Sequence, residues 1–170
     1  MHVDVGGSGN QRHTPDNGKS KTFEDACREL GENHPFIRSF NGYVRNIHEE
    51  NKNDADILAY LKLRIICAAL NEGWELKFTK DEYRYYPWFY IYTKEEIENM
   101  DEENRKQLVL WGGAAVVGAD CGLACANSNV AWSTSLTYVG SRLAVKTREL
   151  AIYFGKQFTD IWADFVLIHK

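Results

Sequence analysis

The stretch SRLAVKTRELAIYFGKQFTDIWADFVLI, from Ser141 to Ile168, constrains the fold more than any other part of the chain. Leu143 and Val145 alternate with Arg142 and Lys146, the period of a half-buried strand. Thr147 then offers a hydroxyl to the free amides of a first helical turn. From Leu150 onward, Phe154, Phe158, Ile161, Trp162, Phe165 and Ile168 recur at spacings of three and four and share one helix face. Arg148, Lys156, Asp160 and Asp164 take the remaining surface. Each of these large apolar side chains gains about 1.5–3 kcal/mol on burial, so the helix must lie on something, and the strand ahead of it points to a sheet. Gly155 costs about 1 kcal/mol relative to alanine inside a helix; it marks close approach by a neighbouring element or by a ligand.

Composition bounds the rest. A chain of 170 residues, 44% hydrophobic and 13% aromatic, can bury a core as one domain. The net charge of -4 argues against a general polyanion binder, because affinity for phosphate backbones rests on clustered Lys and Arg. No run of about 18 apolar residues and no signal-like N-terminus is found, which predicts a cytoplasmic or virion-associated protein with no membrane partner. Four cysteines are too few for a disulfide scaffold, and Cys27 and Cys67 fall on apolar faces of predicted helices.

Residues 1–20 lack apolar periodicity and read as a flexible tail; 21–170 read as a single domain. In KTFEDACRELG, Thr22 and Asp25 resemble a capping box, Phe23, Ala26, Cys27 and Leu30 form a stripe, and Gly31 stops the helix. Asn33 to Asn53, with Pro35 and Gly42, reads as an irregular connection with one helical turn near Val44–His48. A second helix covers Asp54 to Leu70, with Ile57, Leu58, Leu61, Ile65, Ala68 and Ala69 as its expected buried face.

From Gly73 the period changes to two. Trp74, Leu76 and Phe78 predict a strand, and YRYYPWFYIYT a second one forming a hairpin, with Pro87 at an edge or bulge. KEEIENMDEENRK reads as a charged excursion with a short helix. Between Leu108 and Val139 small residues dominate, and short strands near Leu108–Ala115, Leu123–Ala126, Val130–Ser135 and Leu143–Val145 would complete the sheet. The expectation is an α+β fold: an antiparallel β-sheet of about 5–6 short strands packed by a long C-terminal helix and two N-terminal helices.

The phrases KTFEDACRELG, ALNEGWELKF, YYPWFYIY, WGGAAVVGADCGLACANSN with AWS, and VGSRLAVKTRELAIYFGKQFTDIWADF resemble a family of uncharacterised proteins found in gut Bacteroidetes and in their phages and mobile elements. The resemblance runs from about Lys21 to the C-terminus. It implies an origin and transfers no fold, activity or site residue.

Motifs for chemistry are absent. Cys121 and Cys125 form CxxxC without the second ligand pair that structural zinc requires, GADCG is not a nucleophile elbow, and WGGAAVVGADCG matches neither phosphate-loop pattern. No metal and no cofactor is expected. The positive signals are the aromatic run Tyr83–Tyr92 and the polar residues Asn127, Asn129, Ser133, Thr134, Ser135, Thr137, Tyr138 and Ser141, of the adaptable kind recognition surfaces use. Both also suit ordinary sheet packing. Arg84, Tyr86, Trp88, Tyr90, Trp111, Trp132 and Arg142 are the candidate ligand-binding residues. The expected function is a non-enzymatic binding or accessory protein of phage or mobile-element origin, presenting this surface to a protein or small ligand. A single-stranded nucleic-acid binder that stacks bases on the aromatics, an enzyme of unrecognised type, and homo-oligomer assembly are the alternatives.

Overall fold

Helix α3, Ala55–Asn71, is the element on which most others pack. The computed structural model describes residues 19–47, 54–75, 77, 82–105, 121–132 and 141–167. In the second half of α3, Leu63, Ile65, Ile66, Cys67, Ala69, Leu70 and Asn71 are buried almost all round the helix, because neighbours lie on several sides. The expected single face of Ile57, Leu58, Leu61, Ile65, Ala68 and Ala69 is therefore only partly right: Ile57 is 43% exposed, and Ala59, Leu63 and Ile66 point inward. The helix ends where Glu72 (φ 49°) and Gly73 (φ 80°) adopt positive φ, as the Asn-Glu-Gly sequence suggests.

Helix α1, Phe23–Leu30, starts with the expected capping box: the Asp25 amide donates to Thr22 Oγ1 (3.1 Å) and the Thr22 amide to Asp25 Oδ2 (3.0 Å). It packs on α3 through Ala26, Phe23, Cys27 and Leu30. Helix α2, Pro35–Asn46, replaces the irregular connection expected there. Pro35 stands at the first turn, where a missing N–H costs nothing, and His34 caps the helix by accepting the Phe36 amide at Nδ1 (3.2 Å). The proline of the expected irregular connection is here a helix initiator. Residues 1–18 of the expected tail lie outside the described residues, but Ser20 is buried and its carbonyl accepts the Tyr153 hydroxyl (3.0 Å).

Strand β1, Tyr83–Thr93, pairs antiparallel with β2, Cys121–Trp132. Trp88 faces Asn127 and Phe89 faces Cys125, so Ala126 is an extra residue in β2, a bulge one step from Pro87. Helix α4, Lys94–Glu98, follows β1 directly with a second capping box, Thr93 with Glu96, and α5, Glu102–Arg105, completes the charged excursion. Ile97 anchors α4 at 3% exposure.

The C-terminal stretch is two helices, not the single long one its apolar spacing suggests. Thr147 caps α6, Arg148–Gln157, accepting the Leu150 amide at 3.2 Å. At Phe158 the backbone leaves helical geometry (φ -117°, ψ 35°), and α7, Thr159–Val166, begins. The buried Thr159 hydroxyl donates within the preceding turn, toward the carbonyls of Gly155 (2.8 Å) and Lys156 (2.9 Å), a back-bond that bends helices. The bend lets α6 lie against β1 and β2 while α7 turns onto α3. Trp162, 1% exposed, fills the junction among Phe89, Phe154 and Phe165, with ring centroids 5.0–6.0 Å away.

The expected α+β fold is thus overturned. Among the described residues the protein is mostly helical, with seven α-helices, and the strands form one two-stranded ribbon rather than a sheet of five or six. Two of the expected strands, near Leu123–Ala126 and Val130–Ser135, are parts of the single strand β2 as far as Trp132. Another, Leu143–Val145, is a 3-10 turn at Ser141–Leu143 followed by a one-residue bridge of Val145 to Tyr85. Trp74, Glu75 and Lys77 are not in a strand; the Trp74 amide instead donates to Asn71 O (2.8 Å), prolonging the end of α3. Leu108–Ala115 lies outside the described residues.

Candidate functional site: a cleft at the end of α3

A cavity of about 430 Å³ opens where the C-terminal half of α3 meets the start of α2 and the turn before Val145. Leu30, Phe36, Ala68 and Trp74 give it apolar walls; His34, Arg64, Asn71, Glu75 and Arg142 bring polar groups. That mixture and size are those of small-molecule sites.

Each polar group has a defined state. The Arg64 guanidinium lies on the Phe36 ring, its carbon 4.1 Å from the centroid, and 5.8 Å from that of Tyr60. Its Nε–H is buried without a hydrogen-bond partner, and no carboxylate pairs with it among the described residues. A buried donor left unbonded costs about 1–3 kcal/mol. Asn71, by contrast, is spent on structure: Nδ2 donates to Ala144 O (3.0 Å) and Oδ1 accepts the Lys146 amide (3.2 Å). These bonds fix the far wall of the cleft to α3, and Lys146 adds an ion pair to Glu72 (2.7 Å). Cys67 also faces this junction. Burial pushes its thiol up to about 12, only partly opposed by the hydrogen bond from Asn71, so it is a poor nucleophile at neutral pH. Burial and the nearby Glu24 raise the Cys27 thiol as well.

Among the described residues singled out from sequence, Arg142 alone lines this cleft. Arg84 and Tyr86 are buried in β1, at 1% and 3% exposure. Trp88 is half-buried and Tyr90 is 50% exposed, its ring 6.2 Å from that of Tyr92. Trp132 closes β2 opposite Tyr83, and Trp111 lies outside the described residues. The odd-numbered side of β1 turns Tyr85 and Phe89 onto the helical core, and past Phe89 the strand outruns that core. Asn127 and Asn129 sit in β2 opposite Trp88 and Tyr86; residues 133–140 lie outside the described residues.

Sequence reasoning missed Arg64, His34 and Trp74. One signal was available: Arg64 is the lone charge in LRIICAAL, a run otherwise apolar. Cys121 and Cys125 are four residues apart on one strand, about 13 Å at 3.3 Å per residue, too far to share one zinc ion. Among the described residues no group of three or more His, Cys, Asp or Glu is placed to hold a metal, and no helix is long and apolar enough to cross a membrane. No protein-family model, no curated protein and no solved structure matches the chain.

Proposed function

We propose that the protein is a non-enzymatic binding protein, of the phage or mobile-element kind its sequence phrases resemble, and that it receives a small ligand in the cleft at the end of α3. The observation that carries this reading is the convergence of Arg64 and Arg142, from separate segments, on a cavity with an indole and a phenyl wall. The chemistry nearby favours binding over turnover: the Cys67 thiol is held protonated by burial, and the His34 Nδ1 is committed to capping α2. A second reading has its own support. Tyr90 and Ile91, at 50% and 54% exposure on opposite faces of β1, leave apolar surface suited to a protein partner. The nearby Tyr90–Tyr92 pair is also the platform a single-stranded nucleic acid would use, although a net charge of -4 gives phosphates little attraction.

The test is a screen of neutral, cationic and anionic one- and two-ring compounds, followed by NMR of assigned Trp74 indole and Ala68 methyl signals. Binders that shift those signals support the cleft. Binders that shift only Tyr90 and Tyr92, or none at all, overturn it.

A further inference from the structure

We propose that the cleft selects a planar aromatic monocarboxylate, held by Arg64 and Arg142 and covered by Trp74; this rests on the cleft being the binding site. Among the described residues, the charges on its lining are two guanidiniums and one carboxylate, Glu75, with His34 as the one other titratable ring. Glu75 is exposed and pairs with neither arginine among the described residues. The cleft therefore carries one uncompensated cation, which suits a monoanion, whereas a dianion would also face Glu75.

The shape of the anion follows from how Arg64 is held. Its guanidinium lies on the Phe36 ring with Tyr60 nearby, a stacked setting that leaves the in-plane N–H edge as its bonding side. Nε–H is buried without an acceptor, whereas the two Nη groups are bonded by no carboxylate among the described residues and make the two-pronged edge that matches the two oxygens of a carboxylate. Asn71 cannot serve, since both ends of its amide are bonded to Ala144 and Lys146. The rest of the ligand meets Leu30, Phe36, Ala68 and Trp74. Carbon and ring surfaces of that kind reward a flat apolar body rather than a sugar or a bare inorganic ion.

The test uses the full chain with sodium benzoate, its neutral counterpart benzamide, and inorganic phosphate, read by NMR at the Arg64 Nε–H and the Trp74 indole. Benzoate is expected to shift both signals to saturation, with benzamide binding about tenfold or more weaker and phosphate leaving the indole unmoved. Arg64→Met and the exposed Arg142→Met are each expected to weaken benzoate about tenfold; circular dichroism checks folding, and Arg142→Met carries the test if Arg64→Met does not fold. Equal affinity for benzoate and benzamide overturns the carboxylate assignment, and phosphate moving both signals as strongly as benzoate overturns the aromatic part. Failure of benzoate while other screened compounds bind the cleft removes this inference alone. Failure of every compound removes the binding cleft with it.

Discussion

Replacing Asn71 isolates the join on which the cleft depends. Its side chain is 7% exposed, donates to Ala144 O and accepts from the Lys146 amide, so Asn71→Ala removes two hydrogen bonds between α3 and the segment before α6. At about 1 kcal/mol each, with a further penalty for a group left without a partner, the loss is about 2–4 kcal/mol. The Ala144 carbonyl keeps one donor, the Cys67 thiol at 3.2 Å, which holds the loss toward the lower end. Asn71→Asp keeps the shape and the acceptor for Lys146 but sets a carboxylate against the Ala144 carbonyl. A buried charge without a counter-charge costs about 3–5 kcal/mol, so at pH 7 the aspartate variant is expected to be the less stable of the two. The sign with pH is distinctive. Burial raises that carboxyl above its unfolded value, so the penalty is full above the folded pKa and shrinks as pH falls through it, when the protonated acid can donate to Ala144 as the amide did. Urea unfolding followed by tryptophan fluorescence at pH 7 and pH 5 measures both effects. A loss below about 0.5 kcal/mol for Asn71→Ala, or an aspartate variant that does not recover relative to alanine on acidification, refutes the reasoning.

Other outcomes follow from the same structure. The Lys146 ammonium holds the Glu72 carboxyl below its ordinary value, as the Thr93 amide and hydroxyl do for Glu96 and the Asn104 amide for Asp101. Folded values lower than unfolded ones mean stability present above the unfolded pKa, about 3.9–4.3, and lost as pH falls through the folded values. Glu96→Gln should flatten that acid arm in a urea–pH series, and an unchanged arm contradicts the assignment. Cys67 should resist iodoacetamide at pH 8 in the folded protein and react once unfolded; mass-spectrometric mapping that finds it modified at a free-thiol rate contradicts its burial. Trp162→Ala should cost about 3–5 kcal/mol in urea unfolding. Trp162→Phe should cost clearly less, since it also removes an indole N–H that is buried without a partner; equal losses contradict the packing described for it.

Local chemistry was more legible in the sequence than architecture. Thr22 with Asp25, Gly31, Thr147 and the Asn-Glu-Gly end of α3 act through residues a few positions apart, so their pattern carries the geometry with it. The bend at Phe158 is hidden because Phe154, Phe158 and Trp162 keep helical spacing on both sides of it, and only Gly155 and Thr159, four residues apart, betray it. Strand-like alternation misled at Trp74 and at Leu143–Val145 because half-buried turns alternate too: Trp74 lines the cleft and Leu143 fills the core from a 3-10 turn, while Leu76 and Phe78 lie outside the described residues. The aromatic run at Tyr83 was correctly a strand, but which rings it shows depends on what packs on each side. The cleft itself joins residues 34, 64, 74 and 142, a set that no local period links.

The cleft is tested most directly by filling it. Ala68 lies on its wall, on the half-exposed side of α3, so Ala68→Phe should place a benzyl group in the cavity while leaving the core untouched. With the screened compounds repeated on that variant, the expectation is unchanged circular dichroism and loss of the ligand-induced shift at Trp74. A folded Ala68→Phe protein that still binds them with wild-type affinity would contradict the placement of the site.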